Sequence, residues 1–434
     1  MIYNNQCGNM RKTKHIVKKL WILYNDNRLI IINIKGGNMN KNISKKLITL
    51  MLVLTLVLTA CSGGGTPQEN EDGEKPQVEE NEKPETEEGE NTEGEAKKIV
   101  IVTSPSGVDD GSFNQDNYEG IQDFLKENPD YEVQAIQEQD VAASVKAVAD
   151  VVGDYDIIVT PGFQFGGISE LAVANPEKSF ILVDSEPAEL DGRNEFDNIY
   201  SMMFAEEESG FLAGIAAALE TKTGKVAVVN GIAFPSNVNY QFGFESGVNY
   251  ANKHLGAKAE VVEIESYAGT DVRKENVGGN YVGDFNDEST GKVVGEALLE
   301  KGVDIMLVAA GGSGNGVFTA VKEAEDAFVI GCDVDQFDDG VAGDRNIILT
   351  SALKNMSINV ERSLNRIKDG SFKGENALLK ADTQSTGYVK EEGRQQLSEE
   401  TIKKLDEAYA KLESGEIVPA SNFNEHAPDN FPGL

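Results

Sequence analysis

Three kinds of stretch follow the ends of apolar runs: a polar loop with an aromatic ring, single acids, and a glycine-rich loop. The run Ile99 to Thr103 leads into Ser104-Pro-Ser-Gly-Val-Asp-Asp110-Gly-Ser-Phe113-Asn114, a Gly-, Ser- and Asp-rich loop ending in an aromatic ring and an amide. Such a loop can present an aromatic face and an amide into a cleft, a place for Phe113 in the core being the alternative. Asp184 follows the run Phe180 to Val183, and Asp333 follows Phe328 to Cys332. An acid directly after a buried strand is poorly explained by folding needs, capping of the next helix being the alternative. The third stretch, Ala309-Ala-Gly-Gly-Ser-Gly-Asn-Gly316, has the glycine density of a phosphate cradle. Val317 stands where G-x-G-x-x-G needs its last glycine, however, and no Lys-Ser/Thr follows to make a P-loop. Close approach of backbone to a ligand, with amide N–H groups as donors, is the reading that remains.

Several chemistries are disfavoured. The 434 residues carry 73 acids against 39 bases, a formal charge of −34, which speaks against nucleic-acid binding. His15, His254 and His426 lie far apart, and Cys7, Cys61 and Cys332 form no disulfide framework and no zinc spacing. The acid cluster Asp333-Val-Asp-Gln-Phe-Asp-Asp-Gly340 invites calcium, yet Phe337 and Asp338 occupy the positions where an EF-hand loop wants Asp/Asn and Gly. It also resembles the D-x-D-x-x-x-D-D calcium signature of nucleoside hydrolases, but is one residue short and follows a late strand. With no nucleophile–base pair and no metal site, the chain is read as a non-enzyme without a cofactor.

The elements that must position these residues alternate. The patterning predicts strands over 99–103, 131–137, 157–160, 180–183 and 199–204, with helices over 117–127, 141–152 and 207–220. The series restarts with strands over 225–230, 260–264, 305–308 and 328–332 and helices over 239–253, 292–301 and 316–324. Such βαβ repetition predicts two doubly wound α/β lobes of parallel sheet, sharing a ligand cleft beyond the C-terminal ends of their strands. The helix 359–368 and the acidic tail after Ser398 are assigned no chemistry.

The first sixty residues differ from the rest, with ten Lys/Arg and one acid, Asp26. A short basic stretch from Met39 to Lys46 precedes the apolar run Leu47 to Ala60, and Leu58-Thr-Ala-Cys61 resembles the lipobox of bacterial lipoproteins. Residues 39–60 are thus expected to be a signal peptide and Cys61 a lipid anchor. Lys35-Gly-Gly-Asn-Met39 can be encoded as a ribosome-binding site before a start codon, so 1–38 is expected to be translated upstream sequence. Residues 61–97 are expected to be a disordered acidic tether: 62–96 holds thirteen acids against Lys75 and Lys83. Subtracting the +9 leader from −34 leaves −43 for the exported chain, whose only free thiol would be Cys332.

The loops also match a known family. Phe113-Asn-Gln115, Phe204-Ala-Glu-Glu-Glu-Ser-Gly-Phe-Leu-Ala-Gly214, Tyr240-Gln-Phe-Gly-Phe-Glu-Ser-Gly247, Ala310 to Gly316, Gly331-Cys-Asp-Val-Asp-Gln336 and Ser351-Ala-Leu-Lys354 resemble the basic membrane protein family. These are lipoprotein substrate-binding components of ABC importers, similar to purine nucleoside receptors. The resemblance covers about 98–390 and implies a type I periplasmic-binding-protein fold with three crossovers. Lobe one is then expected over 98–205 plus about 337–370, and lobe two over 206–336 plus about 371–434. It implies a purine stacked between Phe113 and Tyr240, where the family usually has Phe. It further implies Asn114 and Asp184 on the base edge, and Asp333 and Lys354, with Gly312 backbone, on the ribose. Asp110 matches the acid before Ser-Phe-Asn, and Phe163 would line the cleft wall. The partners implied are a purine nucleoside, a membrane permease and the outer face of a Gram-positive cell membrane, with the receptor itself monomeric. A receptor for a sugar or furanose signal, and a nucleoside-cleaving enzyme, are the alternatives.

Overall fold

The computed structural model describes residues 21–25, 28–32 and 96–434. Trp21–Asn25 and Arg28–Ile32 form an antiparallel hairpin. The expected signal peptide, the lipidation site Cys61 and nearly all of the expected tether lie outside the described residues. The body of the protein runs from residue 96 to the end of the chain.

This body contains two six-stranded sheets. The first, in spatial order, is Glu375–Leu379, Ile199–Phe204, Ser179–Val183, Ile157–Pro161, Lys97–Thr103 and Tyr131–Gln137, all parallel. Its central strands are continuous apolar runs because both faces are covered. Ile99 and Ile101 pack with Ile121, Phe124 and Val360 on one face. Val100 and Val102 pack with Val148, Phe165 and Leu182 on the other. The second sheet is Thr386–Tyr388, Ile348–Lys354, Phe328–Asp333, Ile305–Ala309, Lys225–Asn230 and Glu260–Val261, parallel except at its first strand. In each sheet the order of the strands reverses around the strand that comes first in the sequence, 97–103 or 225–230. The switch lies between 97–103 and 157–161 in one lobe and between 225–230 and 305–309 in the other, and such points open a crevice at the strand ends.

The chain enters the second lobe after Phe204, returns to the first after Lys354, and leaves it again after Leu379. The expected boundaries near 337 and 370 are therefore corrected. Ile348–Lys354 pairs with Phe328–Asp333 in the second sheet, and Glu375–Leu379 pairs with Ile199–Phe204 in the first. Between these crossings the helix Met356–Lys368 covers the first lobe, its opening amides held by Asp116, which accepts from Met356 N and Ser357 N at 2.9 Å.

Two helices of the second lobe, Glu206–Glu220 and Pro235–His254, touch backbone to backbone through glycines at i and i+4 on each. A Cβ on Gly214 would sit 2.1 Å from the Phe244 carbonyl oxygen, and one on Gly247 would sit 2.0 Å from that of Phe211. Gly210 and Gly243 are as confined, at 2.5 Å from the Tyr240 oxygen and 2.3 Å from the Glu207 oxygen. This contact sets the position of Tyr240. Gly247→Ala should lower the unfolding free energy by about 1–3 kcal/mol through overpacking, measured by urea denaturation.

Burial also raises several carboxyl pKa values: Asp116 to about 6, against the amides of residues 356 and 357, and Glu245 to about 7, against its Gln241 hydrogen bond and with Glu263 adding to the rise. The folded chain thus binds these protons at a higher pH than the unfolded chain, so this contribution to stability is lost as pH rises through about 6 to 7. Thermal unfolding should occur at higher temperature at pH 5.5 than at pH 8, and Glu245→Gln should narrow that difference by stabilising the protein mainly at pH 8.

Candidate functional site

The loops after the switch-point strands face one another across a cleft of about 600 Å³, its open mouth included. Ser104, Ser106, Asp110, Phe113, Asn114, Phe163 and Asp184 line it from the first lobe; Phe234, Tyr240, Phe285, Gly311, Asp333 and Lys354 line it from the second. Eight of the nine expected ligand residues are therefore together. The exception is Gly312: a Cβ there would meet the Phe285 carbonyl oxygen at 3.2 Å and Asn286, while its neighbour Gly311 lines the cleft. The glycine density of this loop serves helix packing as well, since a Cβ on Gly316 would lie 1.9 Å from the Glu288 oxygen in the helix Glu288–Glu300. A larger open groove of about 1570 Å³ runs past the crossovers, but Asp184, Asp333 and Lys354 do not line it.

Phe113 and Asn114 belong to the first turn of the helix Phe113–Glu127 and not to a loop. Asp110 starts that helix early. Its carboxylate accepts from the backbone N–H of Ser112 (3.1 Å), Asn114 (3.0 Å) and Gln115 (3.0 Å) and from Asn114 Nδ2 (2.9 Å). Asp110 thereby fixes the Asn114 amide, which also donates to Ser104 Oγ at 3.0 Å, and leaves Asn114 Oδ1 buried with no partner. Burial raises the Asp110 pKa against those three backbone donors.

Asp184 and Asp333 end equivalent buried strands, and both adopt the left-handed conformation, with φ of 58° and 69°. That backbone is sparsely populated by residues other than glycine, and such residues cluster at ligand sites. Asp333 Oδ1 accepts from Tyr240 Oη at 3.0 Å, and Oδ2 accepts from Ser112 Oγ of the opposite lobe at 2.9 Å. The extra hydroxyl of Tyr240 is thus directed at Asp333. Burial foremost, with Cys332 and Asp333, holds the phenol pKa well above its ordinary value, so it remains a donor.

Lys354 is 1% exposed and lies between carboxylates. Its ammonium pairs with Asp184 Oδ2 across the cleft and with Glu206 Oε1 at 2.9 Å, and stands 5.0 Å from the centroid of the Phe113 ring. One cation faces more than one acid here. Burial therefore raises the Asp184 pKa despite Lys354, with Glu206 and Asp333 adding to the rise. Burial would depress Lys354, but Asp184, Glu206 and Asp333 reverse this and keep it charged. Asp184 Oδ1 is buried without a partner.

Two cleft residues, Phe234 and Phe285, carry no motif that marks them in the sequence. Phe234 stands 5.4 Å from Phe163 across the lobes and 5.9 Å from Phe285, between ring centroids. The available signal is positional, because Phe234 precedes the helix-opening Pro235 in the loop after a switch-point strand. Among the described residues no His, Cys, Asp and Glu group is arranged to hold a metal ion. The arrangement can bind and enclose a ligand: aromatic walls, two orphan acceptors and one paired ammonium converge.

Removing the ammonium would leave Asp184 and Glu206 buried without their cation. Lys354→Met should cost about 3–5 kcal/mol in urea unfolding at pH 8. The loss should be smaller at pH 5.5, where Asp184 takes up a proton.

Comparisons with known proteins place this architecture. The model of the Bmp family, described as ABC transporter substrate-binding protein PnrA-like, matches residues 97–422. The chain is 31% identical over 340 residues to a CD4+ T-cell-stimulating antigen of Listeria monocytogenes, covering 74% of this chain and 87% of that one. It is 30% identical over 296 residues to the ABC transporter nucleoside-binding protein BmpA of Lactococcus lactis, covering 64% and 76%. A solute-binding protein of an ABC transporter system from Aeropyrum pernix superposes with a TM-score of 0.63 at 25% identity, over 76% of this chain and 94% of that one. With two doubly wound lobes, a cleft at their switch points and a family match across both lobes, the chain belongs to the PnrA-like ABC transporter substrate-binding proteins.

Proposed function

We propose that this protein is the lipid-anchored receptor of an ABC importer and binds purine nucleosides between its lobes. The observation that carries the reading is the pair of orphan acceptors, Asn114 Oδ1 and Asp184 Oδ1, buried beside the cleft aromatics Phe113 and Tyr240. A purine offers flat faces to such rings and N–H groups to such acceptors. Asp333 and Lys354 can take sugar hydroxyls as acceptor and donor. The nucleoside-binding relative from Lactococcus lactis points the same way.

The charge of the cleft sharpens the substrate class. Asp110, Asp184 and Asp333 line it against the single ammonium of Lys354, which is already paired. A phosphate would enter an acid-rich site with no free cation, so nucleosides are favoured over nucleotides.

Binding would close the lobes about their three crossovers. Ser112 to Asp333, Gln336 Nε2 to the Gly111 carbonyl at 3.2 Å, and Ser106 Oγ to the Phe285 carbonyl at 3.1 Å are among the contacts between lobes that closure would form. The closed receptor then docks on its permease, held at the membrane by Cys61.

Calorimetry with adenosine, guanosine, inosine, free purines, ribose and nucleoside 5′-monophosphates tests the reading, with the nucleosides checked afterwards for cleavage. Nucleosides should bind intact and at least tenfold tighter than ribose or the monophosphates, and Phe113→Ala should lose at least about tenfold through the lost stack. Preferential ribose binding, or release of free base, would overturn it. Cys61→Ser should free the protein from the membrane fraction.

A further inference from the structure

The hydroxyl of Tyr240 does nothing for a ring that merely forms a wall, and it is buried with its residue 3% exposed. A buried hydroxyl has to be partnered, and this one donates its proton to Asp333 Oδ1 at 3.0 Å. We propose that the Tyr240 hydroxyl is a positioning group that aims the Asp333 carboxylate at a hydroxyl of the bound ligand, so that it governs recognition of the sugar and not of the base. The inference rests on the nucleoside reading and goes beyond it, because it assigns discrimination between a nucleoside and its free base to one oxygen atom of this chain.

Three observations carry it. Asp333 sits on a left-handed backbone at a strand end, which turns its side chain out of the sheet toward the cleft, where it is half-buried. Its two oxygens are held by donors of different origin. Tyr240 is in the same lobe and holds Oδ1 whatever the lobes do, whereas Ser112 belongs to the opposite lobe and reaches Oδ2 at 2.9 Å only when the lobes meet. In the open receptor Tyr240 is thus the one of the two that can preset the carboxylate before ligand arrives. Finally, the phenol is itself fixed. It projects from the helix Pro235–His254, whose Gly243 and Gly247 lie against the backbone of Glu206–Glu220 too closely to admit a Cβ, so the backbone that carries the ring is held, and the ring itself is buried.

A carboxylate accepts about four hydrogen bonds, so Tyr240 and Ser112 leave lone pairs for a ligand hydroxyl. A carboxylate aimed in advance loses less freedom on binding, and the benefit is confined to ligands that carry the hydroxyl. The face of the ring is unchanged in phenylalanine, so a base without its sugar should not register the substitution.

The test is a cycle between protein and ligand, read by calorimetry. Wild type and Tyr240→Phe are titrated with the tightest-binding purine nucleoside, its 2′-deoxy and 3′-deoxy analogues, and the free base. The variant should bind the nucleoside about tenfold more weakly, the loss of a hydrogen bond to a charged group, and the free base within twofold of wild type. At least one sugar-hydroxyl deletion that weakens binding to wild type should cost correspondingly less in the variant. Equal weakening for nucleoside and base, or the same cost of both hydroxyl deletions in the two proteins, would overturn the inference while leaving the nucleoside reading intact. Failure of wild type to bind any nucleoside would overturn that reading and this inference with it. The ligand-free melting temperature of the variant, expected within a few degrees of wild type, separates positioning from a folding defect.

Discussion

The ammonium of Lys354 is buried, and a buried charge persists only where partners replace its water. The cluster is drawn from three places in the chain: Asp184 ends a strand of the first lobe, Glu206 opens the helix just past the first crossing, and Lys354 itself ends the strand before the second crossing. The same cluster therefore ties the lobes beside two of their crossings, and its Asp184 and Lys354 line the cleft. The cleft lining and the pairing between lobes draw on one set of atoms, and the excess of acid over base keeps that set sensitive to proton uptake.

Around this cluster the two lobes repeat one solution. Each is built on parallel strands whose order reverses about the strand that comes first in the sequence, and each delivers an aspartate in the left-handed conformation at the end of an inner strand. Backbone that departs from common geometry at both equivalent positions accompanies two carboxylates that line one cleft. The glycines play a different part: those of residues 210–214 and 243–247 let two helices touch, and that contact sets where the Tyr240 ring and hydroxyl lie.

Much of the fold is legible in the order of residue types. Strands 131–137, 199–204 and 225–230 fall where the residue pattern places them, and the two inner ones, 199–204 and 225–230, are apolar because both of their faces are covered. Helix starts are harder to read. Phe113 and Asn114 lie inside a helix because Asp110 caps it from outside the usual cap position, a bond that spacing alone does not announce. The second-lobe strand 348–354 is equally hidden, since its register and sheet depend on a partner far away in sequence and not on its own pattern.

For the site, the sequence determined which side chains are candidates: Asp184 and Asp333 follow from apolar runs that stop at an acid, Phe113 and Asn114 from the polar loop after such a run, and Tyr240 and Lys354 from motif resemblance. Tertiary structure decided what each one does. It gave the Tyr240 hydroxyl to Asp333, used Asp110 to fix an amide, set Gly312 behind Gly311, and brought Phe234 and Phe285 to the cleft. The division has a physical cause. Burial and local periodicity are properties of short segments, whereas a hydrogen bond between lobes exists only after distant strand ends have been carried to the same few ångströms.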